Sequence, residues 1–255
     1  MNKTFKHMLV AAGLMAALPA MAATTWSFTG SGSSSSNTYG NERTYTSGGV
    51  EVKATAWSNT EGSANVNLES AYLGYYSGNG LGVSNQDEGL SPGSLNHSND
   101  NGGRYDSILL SFDKAVNLTR VQNGWWSNDS DLSVLAYIGA GAPAMTGSYS
   151  SMVSNGWVSI ADLSNPGVSL ASTGSSTYSS YWLVGAFNPA FGSSGDSNTD
   201  YTKLYAVKGS ICTAAGGASG GVCGGTPGTG VPEPGSLALA GLGLLGVIGL
   251  RRRRK

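Results

Sequence analysis

Val50-Glu51-Val52-Lys53-Ala54-Thr55-Ala56-Trp57 alternates apolar with polar residues. Successive side chains of a strand point to opposite faces, so this stretch predicts a half-buried β-strand. Val50, Val52, Ala54 and Ala56 form its inner face, and Trp57 ends the run. Outward from it, the body of the chain is punctuated by Gly, Ser, Asn and Asp. The runs between those breaks are short and rich in Val, Tyr, Trp, Thr and Leu, as strands are. Further strands are expected at 26–29, 64–76, 105–112, 118–126, 132–138, 181–187 and 201–207. No stretch of the body holds a 3.6-residue apolar period for three turns, apart from a short helical possibility near 148–153. The absence of a fixed-period repeat argues against a β-helix or a propeller. The expected fold is all-β, a single jelly-roll-like β-sandwich over residues 23–210. Trp125, Trp126 and Trp182 are candidates for its core.

Only 11% of the 255 residues are charged, and 39 are Gly. Charge-driven disorder needs far more charge than this. The net charge of −1 hides a segregation, because residues 23–230 carry seven Lys and Arg against fourteen Asp and Glu. So acidic a body repels phosphate backbones, and nucleic-acid binding is disfavoured.

The two ends read as addresses. Lys3 and Lys6 precede an apolar run from Met8 to Leu18, a turn at Pro19, and Ala20-Met21-Ala22. This is the three-part pattern of a secretory signal peptide over 1–22, with cleavage expected after Ala22. The secretion translocon and signal peptidase are therefore expected partners. At the other end, Pro232-Glu233-Pro234 precedes sixteen uncharged residues, Gly235 to Leu250, and then Arg251, Arg252, Arg253, Arg254 and Lys255. At about 1.5 Å per residue the uncharged run spans roughly 24 Å, a short membrane helix that works if the cations snorkel. Five cations at one end place the tail in the cytoplasm and the body outside. Gly241-Leu242-Gly243-Leu244-Leu245-Gly246 spells a dinucleotide fingerprint but lies inside this apolar run, with no strand before it.

The order Pro-Glu-Pro, short apolar helix, Arg cluster over residues 231–255 resembles the PEP-type C-terminal sorting signal of Gram-negative bacteria that make exopolysaccharide. The resemblance implies that an exosortase, a membrane-embedded cysteine enzyme, recognises Pro232, Glu233 and Pro234 and cuts the chain there. The helix is then a transient hold, and the product moves from an inner-membrane-anchored precursor to the cell surface or extracellular matrix. The prolines suit recognition because each fixes its own φ and biases its predecessor away from helix. Leu95-Asn96-His97-Ser98-Asn99-Asp100-Asn101-Gly102-Gly103-Arg104-Tyr105-Asp106, with the segments at 108–113 and 129–137, is similar to a group of exosortase-dependent surface proteins. That group is defined by its sorting and supplies no catalytic residues.

Cys212 and Cys223 stand in a Gly-rich segment, 211–230, that reads as a stalk between domain and membrane. In an exported chain two such cysteines are expected to form a disulfide. Once the signal peptide leaves, His97 is the one remaining histidine, which rules out multi-histidine metal catalysis. In its Asn/Ser/Asp surroundings it reads as a surface loop residue. Asp87, Glu88, Asp100, Asp106, Asp129 and Asp131 gather at strand ends, where carboxylates can hold a hard cation or simply make turns. Calcium at Asp100, Asp106, Asp129 and Asp131 is carried as one reading, beside a chain with no cofactor. Adjacent Trp125 and Trp126 must face opposite ways in a strand, leaving one exposed to stack on a sugar ring such as those of exopolysaccharide. Three functions follow: a non-catalytic surface or biofilm-matrix protein, a carbohydrate-binding module, and, last, a glycoside-active enzyme built on an acid pair.

Overall fold

The computed structural model describes residues 23–224, apart from 35, 62–65, 91–96, 194 and 197. The expected signal peptide, the Pro-Glu-Pro motif, the membrane span and the cation cluster lie outside the described residues. Among the described residues no helix is long and apolar enough to cross a membrane.

The strands, in chain order, are β1 (Thr24–Ser27), β2 (Ser33–Ser34), β3 (Glu42–Ser47), β4 (Val50–Glu61), β5 (Asn67–Tyr76), β6 (Gly80–Ser84), β7 (Asn99–Asp100), β8 (Asp106–Asn128), β9 (Leu132–Tyr137), β10 (Trp157–Leu163), β11 (Ala171–Ser172), β12 (Ser179–Ala186), β13 (Asp200–Ile211), β14 (Ala218–Ser219) and β15 (Val222–Cys223). One helical turn, α1 (Tyr149–Met152), falls where the short helical possibility was expected. In β4, Val50, Val52, Ala54 and Ala56 are fully buried. The strand does not stop at Trp57 but runs on to Glu61 with the same alternation.

The all-β class holds, but the two separate sheets of a sandwich are replaced by a closed barrel. β8 pairs β13, β13 pairs β6, β6 pairs β5, β5 pairs β4, and β4 pairs β8 again. The device that closes it is β8, which is 23 residues long. Residues 106–112 of β8 pair β4, and residues 116–128 pair β13. The exposed Asp113 and Lys114 sit at the corner between the two halves. The β8–β13 register shifts at Lys203/Leu204, Leu204/Ala206 and Lys208/Gly209. Each such bulge adds twist, which lets a sheet curl until its edges meet. From the other edge of β8 the sheet continues through β12, β9 and β10, and β1 covers part of β13.

The main core joins Trp26, Val52, Ile108, Leu110, Phe112, Trp182 and Val207 among others. Trp26 packs edge-on to Phe112 at 5.0 Å and donates its indole N–H to the Val50 carbonyl. The Trp182 N–H is shared between the carbonyls of Val116 and Ser179. A second cluster, Leu109, Leu135, Trp157 and Leu183, lies on the opposite face of β8, β9 and β12 under Tyr149 and Met152 of α1. Trp57 packs against it from outside. Trp182 is thus a core residue as expected, whereas Trp125 and Trp126 are not.

Cys212 and Cys223 form the expected disulfide, with Cα atoms 5.5 Å apart. It ties the β14–β15 hairpin to the end of β13, where Cys212 N–H donates to the Ala115 carbonyl, and Tyr178 N–H, ahead of β12, donates to the Gly221 carbonyl of the hairpin turn. The first part of the segment read as a stalk is therefore packed structure.

Candidate functional site

Both ends of β8 carry aspartates, and β7 lies between them. Asp106 opens β8 and Asp129 follows its last residue. β7 pairs with the start of β13, Asp100 opposite Tyr201 and Asn99 opposite Thr202. This places two acidic clusters on consecutive residues, Asp100 facing one and Asn101 bonded into the other. The four aspartates read from sequence do not form one site. Asp100 and Asp106 join Glu88, and Asp129 and Asp131 join Asp200.

In the second cluster every carboxylate oxygen is matched to an N–H donor. Asp129 accepts from the Ser130 backbone and the Asn198 amide. Asp131 accepts from the backbone of Asn165 and of Asp196. Asp200 accepts from the Asp131 backbone at 2.6 Å and from the Asn101 amide at 2.7 Å. These bonds pin the loops after β10 and before β13 to the end of β8. Burial first, and then the charges of Asp131 and Asp129, push the Asp200 carboxyl up to about 7. Asp200 was missed in the sequence because it sits one residue before the run read as a strand.

The first cluster is built differently. Glu88 belongs to the turn after β6, where it accepts the Asn85 N–H at 3.2 Å. Asp100 accepts the Gly102 N–H through Oδ1, while its Oδ2 is buried with no donor. The Asn85 amide donates to Asp106 Oδ1 at 3.3 Å, and its own carbonyl oxygen is buried without a partner. Burial, and then the charge of Asp100, push Glu88 up to about 8. Burial raises Asp100 to about 6 against the pull of the Gly102 N–H and Lys203. Asp106 stands well above the usual carboxylate range, through burial first and the Asp100 charge second. Asp87 stands outside the cluster and pairs with Arg104 at 2.7 Å.

Lys203 is held over the Trp125 ring at 3.9 Å and the Tyr76 ring at 4.7 Å. Burial lowers its ammonium to about 8, although Asp100 pulls it back up. The Trp125 face is thus already covered by a cation, and of the expected pair Trp126, 44% exposed, is the open one. His97 is not a surface residue. It is 3% exposed, hydrogen-bonded to Ser84 and stacked on Tyr76. The reason is Gly82, where a Cβ would stand 2.0 Å from the His97 carbonyl oxygen, so the bare backbone of β6 lets this segment settle against the barrel.

Residues 230–254 match the PEP-CTERM protein-sorting motif. No curated protein and no solved structure is detectably similar to the chain. The motif marks an exported, membrane- or surface-associated protein that an exosortase processes.

Proposed function

We propose that this is a non-catalytic surface or matrix protein, a secreted β-barrel domain that its tail holds in the inner membrane until an exosortase cuts near Pro232-Glu233-Pro234. The product then joins the cell envelope or the biofilm and exopolysaccharide matrix. The sorting motif is the observation that carries this reading. The clustered aspartates support its non-catalytic part. Asp100, Asp106, Asp129, Asp131 and Asp200 are each at most 3% exposed, whereas a glycosidase must present two carboxyl groups to a sugar. The cavity of roughly 730 Å³ between Tyr105, Phe187 and Asn198 has one carboxylate in its wall, Asp196. Ser84 and His97 are hydrogen-bonded as a nucleophile and base would be, but both are buried, and Ser84 also bonds to Tyr76.

The test is the intact mass and location of the protein in a host with and without its exosortase. A product ending near Pro232-Glu233-Pro234, found at the surface or in the medium only when the enzyme is present, is expected. A product that keeps Arg251, Arg252, Arg253, Arg254 and Lys255 in both hosts refutes it.

A second reading, carbohydrate binding, is favoured by the exposed Trp126, whose indole lies beside Gly167 and a loop that also exposes Val168. A flat ring with one free face suits stacking on a pyranose. Migration retarded in polysaccharide gels, and restored by Trp126→Ala, is its expected signature.

A further inference from the structure

We infer that Glu88, Asp100 and Asp106 form a binding site for a hard divalent cation of the calcium class, held by three carboxylates. The inference is independent of how the tail is processed.

The geometry comes first. One carboxylate oxygen from each of Glu88, Asp100 and Asp106 lies within 4.8 Å of the other two. Calcium binds oxygen at about 2.3–2.6 Å, so oxygens on opposite sides of one ion stand about 4.6–5.2 Å apart. All three are therefore close enough to reach a single ion.

The second observation is independent of the charge. Asp100 is 2% exposed, and its Oδ2 is buried with no hydrogen-bond partner, while the Asn85 amide donates its N–H to Asp106 Oδ1. A buried acceptor left unmatched costs about 1–3 kcal/mol, and more when it is charged. Folded proteins keep such groups where something else meets them. The neighbouring Asp129 cluster is the control built into the same molecule. Its acids are as buried, yet each oxygen has its N–H, and it needs no ion to be satisfied.

The charges around the site agree. Neither Glu88 nor Asp100 forms an ion pair with Lys or Arg among the described residues: Arg104 pairs with Asp87, and the Lys203 ammonium lies over two aromatic rings, from where its charge still acts on Asp100. The ligands come from the turn after β6, from β7 and from the first residue of β8, so one ion ties three consecutive elements together.

The experiment uses the full chain, purified in detergent and stripped with EDTA, with calcium chloride and terbium chloride as probes. One ion per chain is expected, read as terbium luminescence excited through the aromatic residues and displaced by calcium. At calcium a hundredfold above Kd the melting temperature should rise by about 5–10 °C. Glu88→Gln should weaken calcium at least tenfold and Asp100→Asn should abolish the response, while Asp113→Asn, at the distant barrel corner, should leave both unchanged. Glu88 is half-buried at the rim, so its variant tests the site without emptying the core. No bound terbium and an unchanged melt at 10 mM calcium would overturn the inference. So would binding that survives Glu88→Gln and Asp100→Asn, since the ion would then sit elsewhere.

Discussion

Replacing Asp100 by Asn should stabilise the protein in EDTA, which is the reverse of what removing a buried hydrogen-bonded carboxylate ordinarily does. Asp100 is 2% exposed, and burial raises its carboxyl from 3.8 to about 6. That rise, at 1.36 kcal/mol per pH unit, corresponds to about 2–3 kcal/mol lost when the group ionises in the fold. Below pH 3.8 the carboxyl is neutral in both folded and unfolded chains and costs nothing. Between 3.8 and about 6 the unfolded chain releases the proton while the fold retains it, so stability falls with rising pH by about 1.4 kcal/mol per unit. Above 6 both are charged and the full cost persists. Asparagine keeps an oxygen for the Gly102 N–H and removes the charge. The variant should therefore match the parent near pH 4 and exceed it by about 2–3 kcal/mol at pH 7.5. For a domain of this size that is a rise of about 4–12 °C in Tm. Thermal melts followed by circular dichroism across pH 4–8 measure it. A variant less stable than the parent at pH 7.5, or a difference that does not change with pH, would refute the claim that Asp100 is an unmatched buried charge.

Three further outcomes follow from the packing. Cys212→Ser with Cys223→Ser opens a loop of sequence separation 11, which the chain-entropy model values at about 2–3 kcal/mol. Because the hairpin meets the barrel through few bonds, the loss should appear as faster amide exchange at Gly217 and Gly224, with little change in the main melt. Gly82→Ala drives a methyl into the His97 carbonyl and should cost about 1–3 kcal/mol, read as a lower denaturant midpoint at constant m-value. Trp182→Ala removes a fully buried ring from the main core and should cost about 3–5 kcal/mol by the same measurement.

The inner face of β4 was legible because its alternation is unbroken. β8 was not, since Asp113-Lys114 reads as a gap between two strands. In the fold those residues are the exposed corner of a single strand, and only the pairing partners reveal that the chain passes through. β6, Gly80–Ser84, carries two glycines and looks like a turn, yet all five residues are buried. Its glycines are close approaches, where a Cβ would meet the Leu204 and His97 carbonyls. β3 hid behind its polar residues, among them Arg43, which is buried and donates to the carbonyls of Leu73 and Ser31. The acids at strand ends were recognisable as a group from their positions. Their division into a bonded cluster and an unmatched one depends on β7 lying against β13, a contact between residues a hundred positions apart that no local pattern encodes.

The position of β13 bears on how this protein would carry mechanical load. If the processed chain is held by its C-terminal end, drag on the body enters through the disulfide-closed hairpin and passes into the strand before it. That strand is no edge: β8 flanks it over its whole length, and β1, β6 and β7 share its other side. Tension along its axis loads these hydrogen bonds together, in shear, instead of peeling them one at a time. The tether thus pulls on a strand paired along both of its sides, a placement suited to staying folded under load.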